Sequence, residues 1–254
     1  MTKNISLEPI HTEPAYRVAA ASLRTKILSG EINVGEVLPS ETSMANLLGV
    51  NRSTIREAIR LLEENGIVAR KPGGKKLFVT VPQRAELSNR MTAAMILQKI
   101  KIDELYRTML ILEPPIAVDA SKFATDAQIL ALEENVLLTE KNLSDNQVVL
   151  ELDVEFHDLL CEASNNRAIQ LCRDPISDLF YPAFSGVIKS LNASERLLAA
   201  HRNILDALKS GDATTAEEWM KRHIEDFRRG YELANLDIDT PITRFPLAGE
   251  NDSE

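Results

Sequence analysis

The sequence is poor in cysteine and has no long apolar run, and each shortage excludes a class of protein. Only two of its 254 residues are cysteines, which excludes a disulfide-stapled scaffold and suits a reducing cytoplasm. Uncharged apolar stretches fall far short of the ~20 residues that a membrane-spanning helix needs, so we expect no membrane association. The chain opens without a basic, then apolar, then small-residue leader, and we therefore expect a cytoplasmic protein.

The net charge of −9 argues against a nucleic-acid partner only while the chain is taken as a whole. Residues 15–82 carry ten Lys and Arg against six Glu, whereas residues 83–254 carry 18 basic and 30 acidic side chains. A difference of sign between segments is typical of a protein whose basic segment binds nucleic acid. The charge pattern therefore separates a basic module from an acidic body.

Glycine is almost absent between residues 87 and 234, where Ala, Leu and Glu are abundant, and this composition favours helices. Apolar periodicity predicts an all-α antiparallel bundle of about seven helices, at 87–98, 103–124, 126–143, 146–163, 167–189, 194–209 and 214–234. The expected helix caps are Asp126, Ser194 and either Asp212 or Thr214, with a stop at Gly211. The expected organisation is a flexible tail (1–14), a basic module (15–82), a linker (83–88), the helical domain (89–235) and a second flexible tail (236–254).

The basic module has the pattern of a helix-turn-helix followed by a hairpin. Periodicity predicts helices at 15–29, 41–48 and 53–64, with Ser40 and Asn51 as N-caps. The start of the third helix carries Arg, Ser and Thr, which suit contacts to base edges and phosphates in the major groove. Short strands at 67–70 and 77–81 enclose a basic, glycine-rich tip with Lys71 and Lys75. The alternative interpretation is a solvated charged helix beside an exposed loop.

Three segments of this module, 38–41 (Leu-Pro-Ser-Glu), 47–58 and 61–67, resemble the winged helix-turn-helix of GntR-family transcriptional regulators. The resemblance covers residues 16–82. It implies that Asn51, Arg52, Ser53 and Arg56 read DNA and that Gly73 or Gly74 forms the wing tip. Many members place a DNA-contacting Arg after Pro-Ser-Glu, where this chain has Thr42, so we expect either a different operator sequence there or the loss of one contact.

Three of the four histidines lie on the apolar faces of different predicted helices. His157 follows Asp153 by one turn, so both side chains can grip one ion. His201 and His223 share their faces with leucines and with Trp219, Met220 and Phe227, respectively. Neutral imidazoles with a carboxylate suit a divalent transition metal, although a single inward histidine is usually a satisfied core residue. Cys161 is either a further ligand or a small buried hydrophobe, and His11 is expected to be inert.

The segments 152–157, 200–208 and 220–224 resemble the effector-binding FCD domain of the FadR subfamily, over roughly residues 87–234. Many members hold a metal with one Asp and three His, which implies a metal on Asp153, His157, His201 and His223. Zinc, nickel and manganese are metals that this donor set suits. The family often pairs an effector carboxylate with an Arg at the position that Met109 occupies here. A carboxylate, a sugar acid and a less polar effector all remain open, with Met109, Glu113, Tyr181 and Phe184 as candidate pocket residues.

These features predict a homodimeric DNA-binding regulator, and release from DNA on effector binding, hence a repressor, is the usual outcome in the family. Two modules on a symmetric body match a palindromic operator. One alternative is a regulator for which the metal is itself the signal. The other is a metal-dependent hydrolase, which we do not expect because Glu155 points off the face of Asp153 and His157 and leaves the site without a general base.

Overall fold

The computed structural model describes residues 13–183 and 193–242. Contacts divide the chain into two compact units, with the boundary between Gln83 and Arg84. None of the described helices combines the length and the apolar character that a membrane span requires. Of the predicted tail at 1–14, residues 1–12 lie outside the described range, while Glu13 and Pro14 precede the first helix.

The N-terminal unit contains three helices and a two-stranded antiparallel sheet: α1 (Ala15–Leu28), α2 (Glu41–Leu48), α3 (Arg52–Glu64), β1 (Val68–Arg70) and β2 (Leu77–Val79). Ser40 caps α2, because its hydroxyl oxygen accepts a hydrogen bond from the Ser43 amide at 3.1 Å. Gly49 ends α2 in the left-handed region, with a φ of 64° that favours glycine. Asn51 occupies the N-cap position of α3 but makes no side-chain capping hydrogen bond.

The core of this unit lies under α3. Ile55, Ala58, Ile59 and Leu62 are buried at helical spacing and pack with residues of α1, α2 and the sheet. The sheet pairs Val68 with Val79, and residue 37 adds a bridge to Phe78 that the sequence did not predict. The apolar face of α3 is therefore fixed in the core, and its Arg-rich face is left on the surface.

The C-terminal unit contains seven helices within its described residues, and it confirms the prediction of a mainly helical chain. They are α4 (Arg84–Leu97), α5 (Ile102–Phe123), α6 (Asp126–Lys141), α7 (Asn146–Ala163), α8 (Arg167–Ala183), α9 (Ala193–Ser210) and α10 (Ala213–Leu233). Helix α5 packs against α7, α8, α9 and α10, so it is the central element of the bundle. The part of the predicted 167–189 helix beyond Ala183 lies outside the described residues.

Two of the predicted helix caps were wrong. Thr125, rather than Asp126, caps α6 in a reciprocal arrangement with Gln128, because a hydroxyl at this position can accept the Gln128 amide hydrogen. Ser194 lies inside the first turn of α9. Asp212 caps α10 by accepting from the Thr215 amide at 3.0 Å, and Gly211, with a φ of 70°, follows α9.

The predicted linker at 83–88 is helical from Arg84 onward, because α4 begins directly after the proline-containing segment and is held by α8. The Arg84 guanidinium donates to both Asp174 carboxylate oxygens, at 2.9 and 2.8 Å. The hydroxyl of Ser88, a buried residue, donates to Asp178. These contacts with a distant segment of the chain order residues 84–88, which the local composition predicts to be part of a linker.

The predicted flexible tail at 236–254 is ordered against α5 for as far as the described residues extend. The Ile242 amide donates to the Ile100 carbonyl at 2.9 Å, and the Asp103 amide donates to the Ile238 carbonyl at 2.9 Å. Ile242 is buried and Ile238 packs on the same core. The segment up to Ile242 therefore belongs to the folded body, because its apolar side chains and backbone groups find partners there.

Candidate metal centre and DNA-binding surface

Four buried side chains from three helices converge at the centre of the C-terminal unit. Asp153 and His157 come from α7, one turn apart on the same face, His201 comes from α9 and His223 from α10. Their potential ligand atoms all lie within 4.8 Å of one another. The structure thus brings together the four side chains that the sequence singled out as metal ligands.

The three imidazoles surround one oxygen of the Asp153 carboxylate. Its Oδ1 lies 3.2 Å from His201 Nε2, 3.5 Å from His223 Nε2 and 3.8 Å from His157 Nε2. His157 Nε2 and His223 Nε2 are 3.0 Å apart. Every imidazole therefore directs its Nε2 atom at the same small volume, which is the arrangement that shared coordination of an ion requires.

Several polar atoms of this cluster have no hydrogen-bond partner. Both Asp153 carboxylate oxygens and both His201 ring nitrogens are buried and unsatisfied, because Asp153 Oδ1 and His201 Nε2, although 3.2 Å apart, are not aligned as a hydrogen bond. Burial by itself would raise the pKa of the Asp153 carboxyl, but the surrounding histidines lower it well below its usual range. Burial also lowers the pKa of the His201 imidazole to about 3. An ionised carboxylate beside a neutral imidazole is the protonation state in which these groups bind a cation.

Glu113 of α5 fixes the orientation of His157. Its Oε2 lies 2.9 Å from His157 Nδ1, so Nδ1–H donates to Glu113 and leaves the Nε2 lone pair facing the cluster. Its other oxygen, Oε1, accepts from Arg173 Nε at 2.6 Å. Burial raises the pKa of Glu113, but Arg173 and then His157 outweigh it and lower the pKa to about 2. Glu113 therefore accepts the imidazole hydrogen as a carboxylate.

Arg173 of α8 lies beside this cluster, and sequence reasoning missed it. Its side chain is 1% exposed and pairs with Glu113 on one side and with Asp158, at 2.6 Å, on the other. The sequence offered a weak signal, because Arg173 shares the buried face of α8 with Ile176 and Phe180. Its partner Glu113 is 60 positions earlier in the chain, so periodicity alone could not reveal the pair.

The candidate pocket residues have different environments. Met109 is fully buried in the core. Tyr181 is buried as well, with its ring centroid 5.0 Å from that of His157 and its hydroxyl donating to Glu113 at 3.4 Å. Phe184 lies outside the described residues. Cys161 is a buried hydrophobe rather than a member of the four-residue cluster, and burial raises the pKa of its thiol to about 12.

Two cavities flank the cluster. One, of about 480 Å³, lies between α9 and α10 and is lined by His223 together with Trp219 and three arginines. The other, of about 620 Å³, is lined by residues of α4, α7 and α8 that include Arg173 and Tyr181. His223 is 4% exposed through its side chain, whereas the side chains of Asp153, His157 and His201 are fully buried.

The N-terminal unit presents a concave basic surface on α3. Arg52, Ser53, Arg56 and Arg60 line it together with Arg70 and three glutamates, around a volume of about 810 Å³. The side chains of Arg52 and Arg56 are 66% and 71% exposed. Asn51 and Thr42 are exposed on the same unit. Guanidinium groups at the start of an exposed helix can reach base edges and phosphates.

The loop between β1 and β2 forms a basic tip. Lys71 and Lys75 are exposed, and the Lys71 carbonyl accepts from the Gly74 amide at 2.8 Å. Gly73 has a φ of 72°, which favours glycine. A Cβ atom on Gly74 would lie 3.2 Å from the Lys71 carbonyl oxygen. These two glycines therefore permit the tight turn that carries the lysines.

Comparison with known proteins agrees with both halves of the chain. A family model described as bacterial regulatory proteins of the gntR family matches residues 15–75, and the FCD domain model matches residues 104–226. The transcriptional regulator LutR of Bacillus subtilis is 25% identical over 218 residues, which cover 83% of this chain and 99% of LutR. The transcriptional repressor NanR of an Enterobacter species is 26% identical over 234 residues, or 87% of each chain.

A solved structure, Streptococcus agalactiae GntR, is 30% identical, with a TM-score of 0.59 over 84% of this chain and 99% of that one. The relatives are named as transcriptional regulators, and the two matching models are those of the GntR family and the FCD domain, so the chain is a DNA-binding regulator and not an enzyme. These findings confirm the resemblance seen in the sequence. The chain belongs to the GntR family of bacterial transcriptional regulators and has the FCD domain of its FadR-like subfamily.

Proposed function

We propose that this regulator holds a divalent transition metal (zinc, nickel or manganese) on Asp153, His157, His201 and His223. The observation that carries the proposal is the unsatisfied Asp153 carboxylate among three imidazoles, all of them buried. A buried charge without a hydrogen-bond partner is costly, and a cation bound there would supply the partner. The donor set of three nitrogens and one oxygen suits a borderline metal.

We further propose that a small anion, a carboxylate or a sugar acid, binds beside this metal and controls operator affinity. A metal with open coordination positions would bind the carboxylate of the effector and so supply much of its binding energy. The proposed residues of the effector pocket are Glu113 and Tyr181, which contact His157, together with Met109 and Phe184. Arg173 is engaged by Glu113 and Asp158, which favours anchoring through the metal rather than through this arginine.

At the DNA end, we propose that a homodimer binds a palindromic operator in the cytoplasm of a bacterium. Asn51, Arg52, Ser53 and Arg56 would contact base edges or nearby phosphates, with Thr42 alongside. The tip formed by Lys71, Gly73, Gly74 and Lys75 would approach the DNA backbone. A relative named as a repressor supports the proposal that the protein represses transcription. We propose with it that the effector releases the protein from DNA.

Metal analysis of the purified protein tests the proposed centre. We expect His201→Ala to lose the bound metal in elemental analysis, because it removes one of four ligands from a buried site. His11→Ala is the matched control. Because His11 belongs to the predicted N-terminal tail, we expect this variant to keep the metal. Full retention of metal by His201→Ala would refute the proposed metal centre.

Operator binding measured with metal and candidate carboxylates, separately and together, tests the proposed signal. If the effector is organic, a carboxylate releases the metal-loaded protein from DNA, and metal alone leaves operator affinity nearly unchanged. A strong dependence on metal without any carboxylate would instead identify the ion as the signal.

A further inference from the structure

The carboxylate of Glu41 lies among three arginines of the DNA-binding unit. Its Oε2 is 3.6 Å from Arg52 Nε and 3.9 Å from Arg56 Nε, and its Oε1 is 3.6 Å from Arg70 Nη2. The Glu41 side chain is 22% exposed, in contrast to 66% for Arg52 and 71% for Arg56. A partly buried acid therefore lies behind the exposed arginines that we propose to contact DNA.

The geometry of these pairs leaves the arginines free to bind another group. Separations of 3.6 and 3.9 Å exceed hydrogen-bond length, so the attraction acts on charge without using an N–H donor. The nearest atom in both arginines is Nε, so the terminal Nη amino groups stay available. Glu41 itself is held in place, because it is the first residue of α2, directly after the Ser40 cap.

We expect the Glu41 carboxylate to act in opposite directions on specific and on non-specific DNA binding. A free arginine side chain loses rotamer freedom when it binds, and holding it in place beforehand reduces that cost. A carboxylate near the DNA also repels every phosphate, whatever the base sequence. The surface carries four arginines and three glutamates, so one charge is a large part of its balance.

We propose that Glu41 is a positioning residue that raises the sequence specificity of this regulator by orienting Arg52 and Arg56 and by weakening non-specific DNA binding. This inference rests on the proposed role of those arginines in base contacts. Arg52→Ala tests that role separately, because it should weaken binding to the operator whether or not Glu41 acts on it.

The test compares two duplexes of equal length: the one that the wild-type protein selects from a random pool, and a scrambled one. Dissociation constants come from fluorescence anisotropy over a range of salt concentrations. We expect Glu41→Gln to weaken binding to the selected duplex about tenfold, and to tighten binding to the scrambled duplex about twofold to threefold. Glu64→Gln is the control, since Glu64 pairs with Arg60, at 3.1 Å, and lies at the far end of α3, more than two helical turns beyond Arg56.

The ratio of the two affinities decides the outcome. An unchanged ratio in Glu41→Gln, or an equal fall in Glu64→Gln, would overturn the proposal, because the effect would then be absent or a general result of charge. Glu41→Asp, which keeps the charge, should recover part of the ratio. Glu41→Ser also removes the charge and should change the ratio in the same direction. Thermal unfolding of each variant shows whether a folding defect, and not the loss of the charge, causes the result. If Glu41 acts through Arg52, the loss from Glu41→Gln is smaller in an Arg52→Ala background.

Discussion

Replacing Glu113 with glutamine separates the orientation of His157 from the donor set of the metal centre. Glutamine keeps the shape of the side chain but replaces the carboxylate, whose two oxygens accept hydrogen bonds from His157 Nδ1 and Arg173 Nε at 2.9 and 2.6 Å. The hydrogen bond that fixes the imidazole tautomer is weakened, while all four proposed ligands stay in place. Partners of this kind contribute about 10–100-fold to metal affinity, or ~1.4–2.8 kcal/mol.

The same substitution also affects stability without metal, because Arg173 is buried and would lose its charged partner. Removing one member of a buried pair costs ~3–5 kcal/mol, and the cost should be at or below this range because Asp158 still pairs with Arg173. Denaturant unfolding in the presence of a chelator measures this change in the free energy of unfolding. Metal titration against a competing chelator measures the affinity.

Asp158→Asn is the matched control for Glu113→Gln. Asp158 also pairs with Arg173, but its side chain is 57% exposed and it makes no contact with His157 among the described interactions. We expect a small loss of stability, below ~1 kcal/mol, and wild-type metal affinity. If Glu113→Gln bound metal as tightly as the wild-type protein, or if both variants lost metal equally, the orienting role of Glu113 would be refuted.

Two further predictions concern the DNA-binding unit and the C-terminal segment. Arg52→Ala should weaken specific operator binding by ~1–3 kcal/mol and leave the oligomeric state unchanged; equal affinity in a salt-controlled gel shift would contradict its assigned role. Truncation after Asn235 should destabilise the protein by ~1–3 kcal/mol, since it exposes core near Ile242 and frees backbone groups of residues 100–103. Thermal unfolding checks this result, and an unchanged melting temperature would show that the segment contributes no stability.

Local patterns in the sequence were sufficient for much of the fold and for the ligand set. Residues 41–48 and 146–163 form the predicted helices with the predicted bounds, because their caps and apolar spacing lie within one stretch of chain. Asp153 and His157 share a face by helix geometry alone. That His201 and His223 meet them on one oxygen depends on the packing of α7, α9 and α10, for which the resemblance, and not the spacing, supplied the expectation.

What the sequence could not predict depends on partners far away in the chain. Residues 84–88 and 236–242 have the polar or proline-containing composition of connections, yet both are held by groups on other helices. A lone arginine such as Arg173 is ordinarily exposed, and only its pairs with Glu113 and Asp158 make its burial favourable. Local propensity contains no information on these long-range contacts.

The absence of an arginine at position 109 narrows how the proposed effector can be held. Met109 is fully buried where related regulators often present a guanidinium to an effector carboxylate. Arg173 of α8 is a guanidinium near the proposed pocket, but it already donates to Glu113 and to Asp158, at 2.6 Å each. Releasing Arg173 for an effector would leave the Glu113 carboxylate buried with less of its counter-charge, at a cost that one new ion pair would scarcely offset. The proposed carboxylate effector would therefore depend on the proposed metal more than an effector does in relatives that retain the arginine.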